Sequence, residues 1–181
     1  MYGMINVAIR DLVNEKFGNE SWKKICKEVN LEDDQYKYLE YYPDHITISL
    51  VGAASKVLSI PADVILKEFG AYWIKHTAQM GYGPIMDLFG ADFITCLKNL
   101  NNMHARMGLN MPNLKPPRFE VIDLGNDIYD LEYFSTRRGL EPMVMGLITG
   151  LAEKYNVNIQ ATNISLSPEE SPQKFKIQIL S

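Results

Sequence analysis

The segment IYDLEYFSTR, residues 128–137, closes with a phenol, a hydroxyl and a guanidinium at alternate positions: Tyr133, Ser135 and Arg137. In a strand, period two puts alternate side chains on one face, here Tyr129, Leu131, Tyr133, Ser135 and Arg137. Three donors in a row suit an anionic group with several oxygens. Arginine offers a two-pronged fork to a carboxylate, and tyrosine and serine add neutral hydrogen bonds. The same row also suits a solvated polar strand face holding a cross-strand ion pair.

The second chemical signal is an imidazole. The chain has three histidines, and one of them, His104, lies in NNMHARMG, residues 101–108. Leu97, Leu100, His104 and Met107 fall at i, i+3, i+7 and i+10, so His104 shares the apolar face of a helix. That position fits a hydrogen-bonded core residue, a general base or a metal ligand. No second histidine, cysteine or carboxylate stands near it at zinc-ligand spacing, which argues against zinc. A lone axial ligand is a different case. Haem brings four equatorial nitrogens of its own, so one protein imidazole is enough. Its two propionates need donors of the kind that Tyr133, Ser135 and Arg137 supply.

These groups need elements to position them. Up to about residue 115 the spacing is helical. Ile5, Ile9, Leu12 and Val13 share one face of a helix over 2–17, with Gly18 as its stop. Ser21 is the expected N-cap of SWKKICKEVN, and Asp44 that of a helix over 44–58. A further helix begins at Pro61 and runs to residue 80, where GYGP breaks it. The helix carrying His104 spans 90–107. After Lys115-Pro116-Pro117 the pattern changes. RFEVIDL and IYDLEYFSTR read as strands around a turn at Asn126-Asp127. Helical spacing returns over 142–155. NIQATNIS and KFKIQIL are two more strands, joined by the polar SLSPEESPQ. Helices followed by a small antiparallel sheet with one inserted helix define an α+β fold.

Bulk properties exclude several classes. A chain of 181 residues buries a core without disulfides or structural metal. Net charge is −4 with no block of like charges, so no nucleic-acid or membrane partner is expected. Cys26 and Cys96 have no CxxC or zinc spacing and read as reduced thiols of a cytoplasmic protein. No apolar run reaches membrane-spanning length, and Arg10 and Asp11 interrupt the N-terminus too early for a signal peptide. There is no Gly-rich phosphate loop, GxSxG or HExxH, and His45 and His76 have no evident catalytic partner, so an enzyme is not expected.

His104, the proline pair ending in Pro117, and Tyr133-x-Ser135-x-Arg137 together resemble the H-NOX family, the haem nitric oxide/oxygen-binding domains related to the haem domain of soluble guanylate cyclase. The resemblance covers essentially the whole chain. It includes the MYG start, LVGAASKVL at 50–58, FGAYW at 69–73 and RRGLEPMVMGL at 137–147. It implies one haem-binding domain over 1–181. A helical part to about residue 115 would pack over a part from about 116 that holds a four-stranded antiparallel sheet and one long helix. Haem b (iron protoporphyrin IX) would lie between them. His104 would be the proximal iron ligand. Tyr133, Ser135 and Arg137 would hold the propionates, and Pro117 would press the haem out of plane.

The resemblance also bears on the gas. Bound oxygen is stabilised by a hydrogen-bond donor, whereas nitric oxide binds ferrous haem strongly without one. Oxygen-binding members carry a distal tyrosine, and alignment puts Met143 at that position. Ile5, Ile9, Trp73 and Leu147 complete a mostly apolar distal pocket, in which the Trp73 indole N–H is the one donor. This implies a sensor of nitric oxide, also binding carbon monoxide. Nitric oxide would weaken the iron–His104 bond and free the helix that carries it. The chain resembles stand-alone bacterial members with no fused effector, which act on a separate histidine kinase or cyclic-di-GMP enzyme. The competing expectations are an oxygen or redox sensor on the same fold and a haem-free interaction module. A peroxidase would need a distal His–Arg pair, which is not visible.

Overall fold

A computed structural model describes residues 1–31, 36–77, 87–167 and 169–180. The chain divides into two compact units, Met1–Phe69 and Gly70–Ser181. In the first, α1 (Gly3–Phe17), α2 (Asn19–Glu28) and α3 (Asp44–Leu58) are followed by the start of α4 (Ala62–Thr77). α1 buries Ala8, Ile9, Leu12 and Val13 and stops at Gly18, whose φ of +79° costs a glycine nothing. Fully buried Asn6 ties α1 to α3, accepting a hydrogen bond at Oδ1 from Thr47 Oγ1 at 2.7 Å.

Two expected helix caps differ from what the sequence predicts. Ser21 lies inside α2, which begins at Asn19 behind Gly18, and its hydroxyl donates back to the Phe17 carbonyl. Asp44 is the first residue of α3, not its cap, because its carboxylate accepts from the chain's own amino terminus at 2.7 Å. The expected end of the fourth helix, GYGP at 81–84, lies outside the described residues.

In the second unit come α5 (Phe93–Gly108), β1 (Arg118–Gly125), β2 (Ile128–Phe134), α6 (Glu141–Lys154), β3 (Ile159–Asn163) and β4 (Gln173–Ile179). The sheet is antiparallel throughout, in the order β1-β2-β4-β3. β1 and β2 are joined through Asn126 and Asp127 at φ 53° and 58°, both in the left-handed region that a tight hairpin needs. One sheet face supplies Phe119, Leu131, Tyr133, Phe175 and Ile177 to the core. There they meet Phe93, Cys96 and Leu97 of α5 and Val144, Ile148 and Leu151 of α6. The other face is polar, with Lys174 and Glu132 paired at 3.3 Å and Arg118 lying 3.6 Å over the Phe134 ring.

α5 starts later than its spacing predicts. Asp92 caps it, accepting from the Thr95 N–H at 2.8 Å and the Thr95 hydroxyl at 2.7 Å. The α+β class and the four-stranded antiparallel sheet are as the sequence predicts. Among the described residues no single helix is long and apolar enough to cross a membrane.

Candidate functional site

His104 sits in the penultimate turn of α5, half-buried. Its Nδ1 is shielded from solvent and has no hydrogen-bond partner among the described residues. Burial pushes its pKa below the ordinary 6.5, so the ring is neutral at neutral pH. A neutral imidazole keeps the lone pair that a metal needs. Among the described residues, no three histidine, cysteine, aspartate or glutamate side chains cluster as a metal site. An iron on His104 would therefore need a macrocycle for its remaining donors, and on this count the residues fit haem.

His104 is wired to the sheet. Its ring lies 6.1 Å from that of Phe119, which in turn lies 5.5 Å from that of Tyr133. One turn before His104, the side-chain amide of Asn101 pairs with the Phe119 backbone. Nδ2 donates to the carbonyl at 2.7 Å, and Oδ1 accepts from the N–H at 2.9 Å. Sequence reasoning missed both Asn101 and Phe119. The available signal was an asparagine in a helix interior, where it is a poor helix former and tends to need a partner.

The Tyr-x-Ser-x-Arg group is held differently from its strand-face prediction. β2 ends at Phe134, so only Tyr133 is on the strand. Ser135 Oγ accepts from the Arg137 N–H at 3.0 Å, bending the chain so that Ser135 and Arg137 leave the sheet. The three residues still border one narrow surface cleft, together with Arg138, Glu141 and Gln173. Tyr133 is buried beside Ser135, and desolvation raises its pKa, so it stays a protonated donor. Arg137 Nη1 donates to the Lys115 carbonyl at 2.8 Å, tethering the segment that leads into Pro117. Pro117 itself is half-buried immediately before β1.

Trp73 near the end of α4, and Met143 and Leu147 one turn apart on α6, are half-buried in this same unit. Trp73 stacks on buried His76 at 6.4 Å, and His76 on Tyr72 at 5.5 Å. Ile5 and Ile9 belong to the first unit, where Ile9 is buried on α1 and Ile5 is half-buried. Eight of the ten predicted site residues therefore lie within one unit.

A family model for haem-NO-binding proteins matches residues 2–163. The chain belongs to the haem-NO-binding family. Among curated relatives of this H-NOX chain, soluble guanylate cyclase 89Db of Drosophila melanogaster is 24% identical over 155 residues, 86% of this chain and 23% of that protein. Soluble guanylate cyclase gcy-35 of Caenorhabditis elegans is 27% identical over 177 residues, 96% of this chain and 25% of its own. The chain thus spans about a quarter of the length of these cyclases. The H-NOX fold agrees with solved structures. An H-NOX protein from S. oneidensis in the Fe(II)NO state superposes with a TM-score of 0.89 at 21% identity, covering all of both chains. The unliganded Fe(II) protein from K. algicida gives 0.88 at 22% identity, covering all of this chain and 97% of that one.

Proposed function

We propose that the chain is a haem-based gas sensor that answers nitric oxide and signals to a separate partner through release of His104. Residues 1–181 would act as one domain, in the bacterial cytoplasm. The observation that carries this is the neutral, half-buried imidazole of His104, joined through Phe119 to Tyr133 and through Asn101 to β1. Haem b, when bound, would supply an iron able to take a diatomic gas, with His104 as the protein residue that would hold it.

Each site residue then has a task. His104 is the iron ligand. Tyr133 and Ser135 donate hydrogen bonds to propionate oxygens, and Arg137 adds charge. A guanidinium carries five N–H donors, so its bond to Lys115 is compatible with a second partner. Pro117 would pack against the ring. Ile5, Ile9, Met143 and Leu147 offer no hydrogen-bond donor, which favours nitric oxide and carbon monoxide over oxygen. The Trp73 indole is the one donor in the set, and stacking on His76 fixes its orientation.

Signalling is a shift between two packings, and it requires a partner that binds them unequally. A change in what holds His104 would be felt first in the end of α5 beyond Asn101, since Asn101 itself is tied to the Phe119 backbone. A histidine kinase or cyclic-di-GMP enzyme would read the resulting surface. Absorption spectra of the reduced, haem-replete protein test this under argon, air and nitric oxide. A haem band indifferent to air and shifted by nitric oxide is expected. A stable oxygen complex moves the assignment to oxygen sensing, and colourless protein ends it. His104→Gly supplied with free imidazole should keep its colour while the partner stops responding.

A further inference from the structure

The close crossing of α4 and α6 sits beside three of the proposed distal residues. A Cβ on Gly70 would overlap the carbonyl oxygen of Met143 and lie 2.8 Å from the amide nitrogen of Leu147. Helix geometry pairs those two groups, since the N–H of residue 147 donates to the carbonyl of residue 143. The bare Cα of Gly70 thus rests against a backbone hydrogen bond of α6. One turn further along, a Cβ on Gly150 would lie 3.0 Å from both the Cα and the carbonyl oxygen of Ala71, and 3.2 Å from Ile74 Cγ1. The two helices therefore meet backbone to backbone at two levels. Met143 and Leu147 flank the first level, and Trp73 follows Gly70 by three residues.

We propose that Gly70 is a positioning residue of the gas pocket: its missing side chain sets how closely Trp73 stands to Met143 and Leu147, and so which ligands fit by size. The proposal rests on the gas-sensor reading. A methyl group at position 70 has no flexible neighbour to displace, because the atoms it meets are main chain. Relief needs the 143–147 turn to withdraw. Bringing Leu147 N alone from 2.8 Å to an ordinary 3.5 Å takes about 0.7 Å, and the deeper overlap with the Met143 oxygen demands more. A withdrawn turn widens the space between α4 and α6. A longer ligand should gain more from that widening than a two-atom one.

The test uses the haem-loaded full chain with carbon monoxide and n-butyl isocyanide as size probes. Gly70→Ala should raise the ratio of isocyanide to carbon monoxide affinity about tenfold, the scale on which overpacking displaces a well-packed element. Gly150→Ala makes the milder contacts and should move the ratio the same way by less. It carries the test if Gly70→Ala does not fold. Gly52→Ala, with nothing within 4 Å of its Cβ, should leave the ratio unchanged. Hydrogen exchange on haem-free protein supplies an independent readout. The Leu147 amide should exchange faster in Gly70→Ala, while Leu131 amide protection in the sheet holds. If both wedges bind haem and carbon monoxide with an unchanged ratio, Gly70 does not set pocket size, and the sensor reading survives. Wild-type protein that takes up no haem overturns both, and the missing haem band tells that failure from the first.

Discussion

Removing the Asn101 amide should loosen His104 and lower stability together. In the hairpin, Phe119 is the residue across from Tyr133 on an edge strand. Its outward N–H and C=O have Asn101 as their partner, at 2.9 and 2.7 Å. Two such bonds contribute about 1 kcal/mol each, and leaving a part-buried donor and acceptor unmade adds to the loss. Asn101→Ala should therefore cost roughly 2–4 kcal/mol. For a chain of this size, that lowers the melting temperature by roughly 5–15 °C. Asn101→Asp keeps the acceptor but sets a carboxylate against the Phe119 carbonyl, so it should not rescue stability fully. The diagnostic readout is the imidazole itself. Burial holds the His104 pKa below 6.5. With α5 untethered, the ring gains solvent and its pKa should rise toward 6.5, as followed by 15N NMR titration of haem-free protein. A normal melt, or an unshifted His104 titration in Asn101→Ala, would refute the coupling of α5 to β1 through this amide.

Other outcomes follow from the same geometry. His104 has a folded pKa below its unfolded value, so the unfolded chain binds the proton more readily. Urea unfolding of haem-free protein should thus show stability falling as pH drops through 6.5, and His104→Leu should flatten that slope. Tyr133→Phe removes a buried phenol beside Ser135. If it holds a propionate, haem transfer to apomyoglobin should accelerate about tenfold or more, as expected for a hydrogen bond to a charged group. Phe175→Ala empties a fully buried position between sheet and helices and should cost about 3–5 kcal/mol by denaturant titration. Thr47→Val strands the Asn6 carbonyl oxygen in a dry core and should cost about 1–3 kcal/mol in the same assay.

The pattern of elements was legible because it rests on local spacing. The hairpin turn at Asn126-Asp127 and the stop at Gly18 are written in residues that tolerate positive φ. What escaped was non-local. Asp44 looks like a cap until the amino terminus, 43 residues away, claims its carboxylate. Ser135 and Arg137 fit the strand's period, yet the bond from the Arg137 N–H to Ser135 Oγ turns the chain off the sheet. Tyr133, Ser135 and Arg137 still come together, because a bend brings donors to one cleft as well as a flat face does. Asn101 reaches across 18 residues, and Gly70 is informative only once α6 is beside it. No periodicity reports such pairings.

β1 is the outer strand of its sheet, and an outer strand is a template on which another polypeptide can add. This one is tempting, with Ile122 and Leu124 44% and 49% exposed. Near one end the Asn101 amide occupies the outward backbone groups of Phe119, and near the other the register shifts between Asp123 and Gly125. The regular stretch between them, Glu120 to Asp123, is shorter than the roughly five residues of an ordinary strand. The side chain that steadies the histidine helix thus also blunts this edge against aggregation.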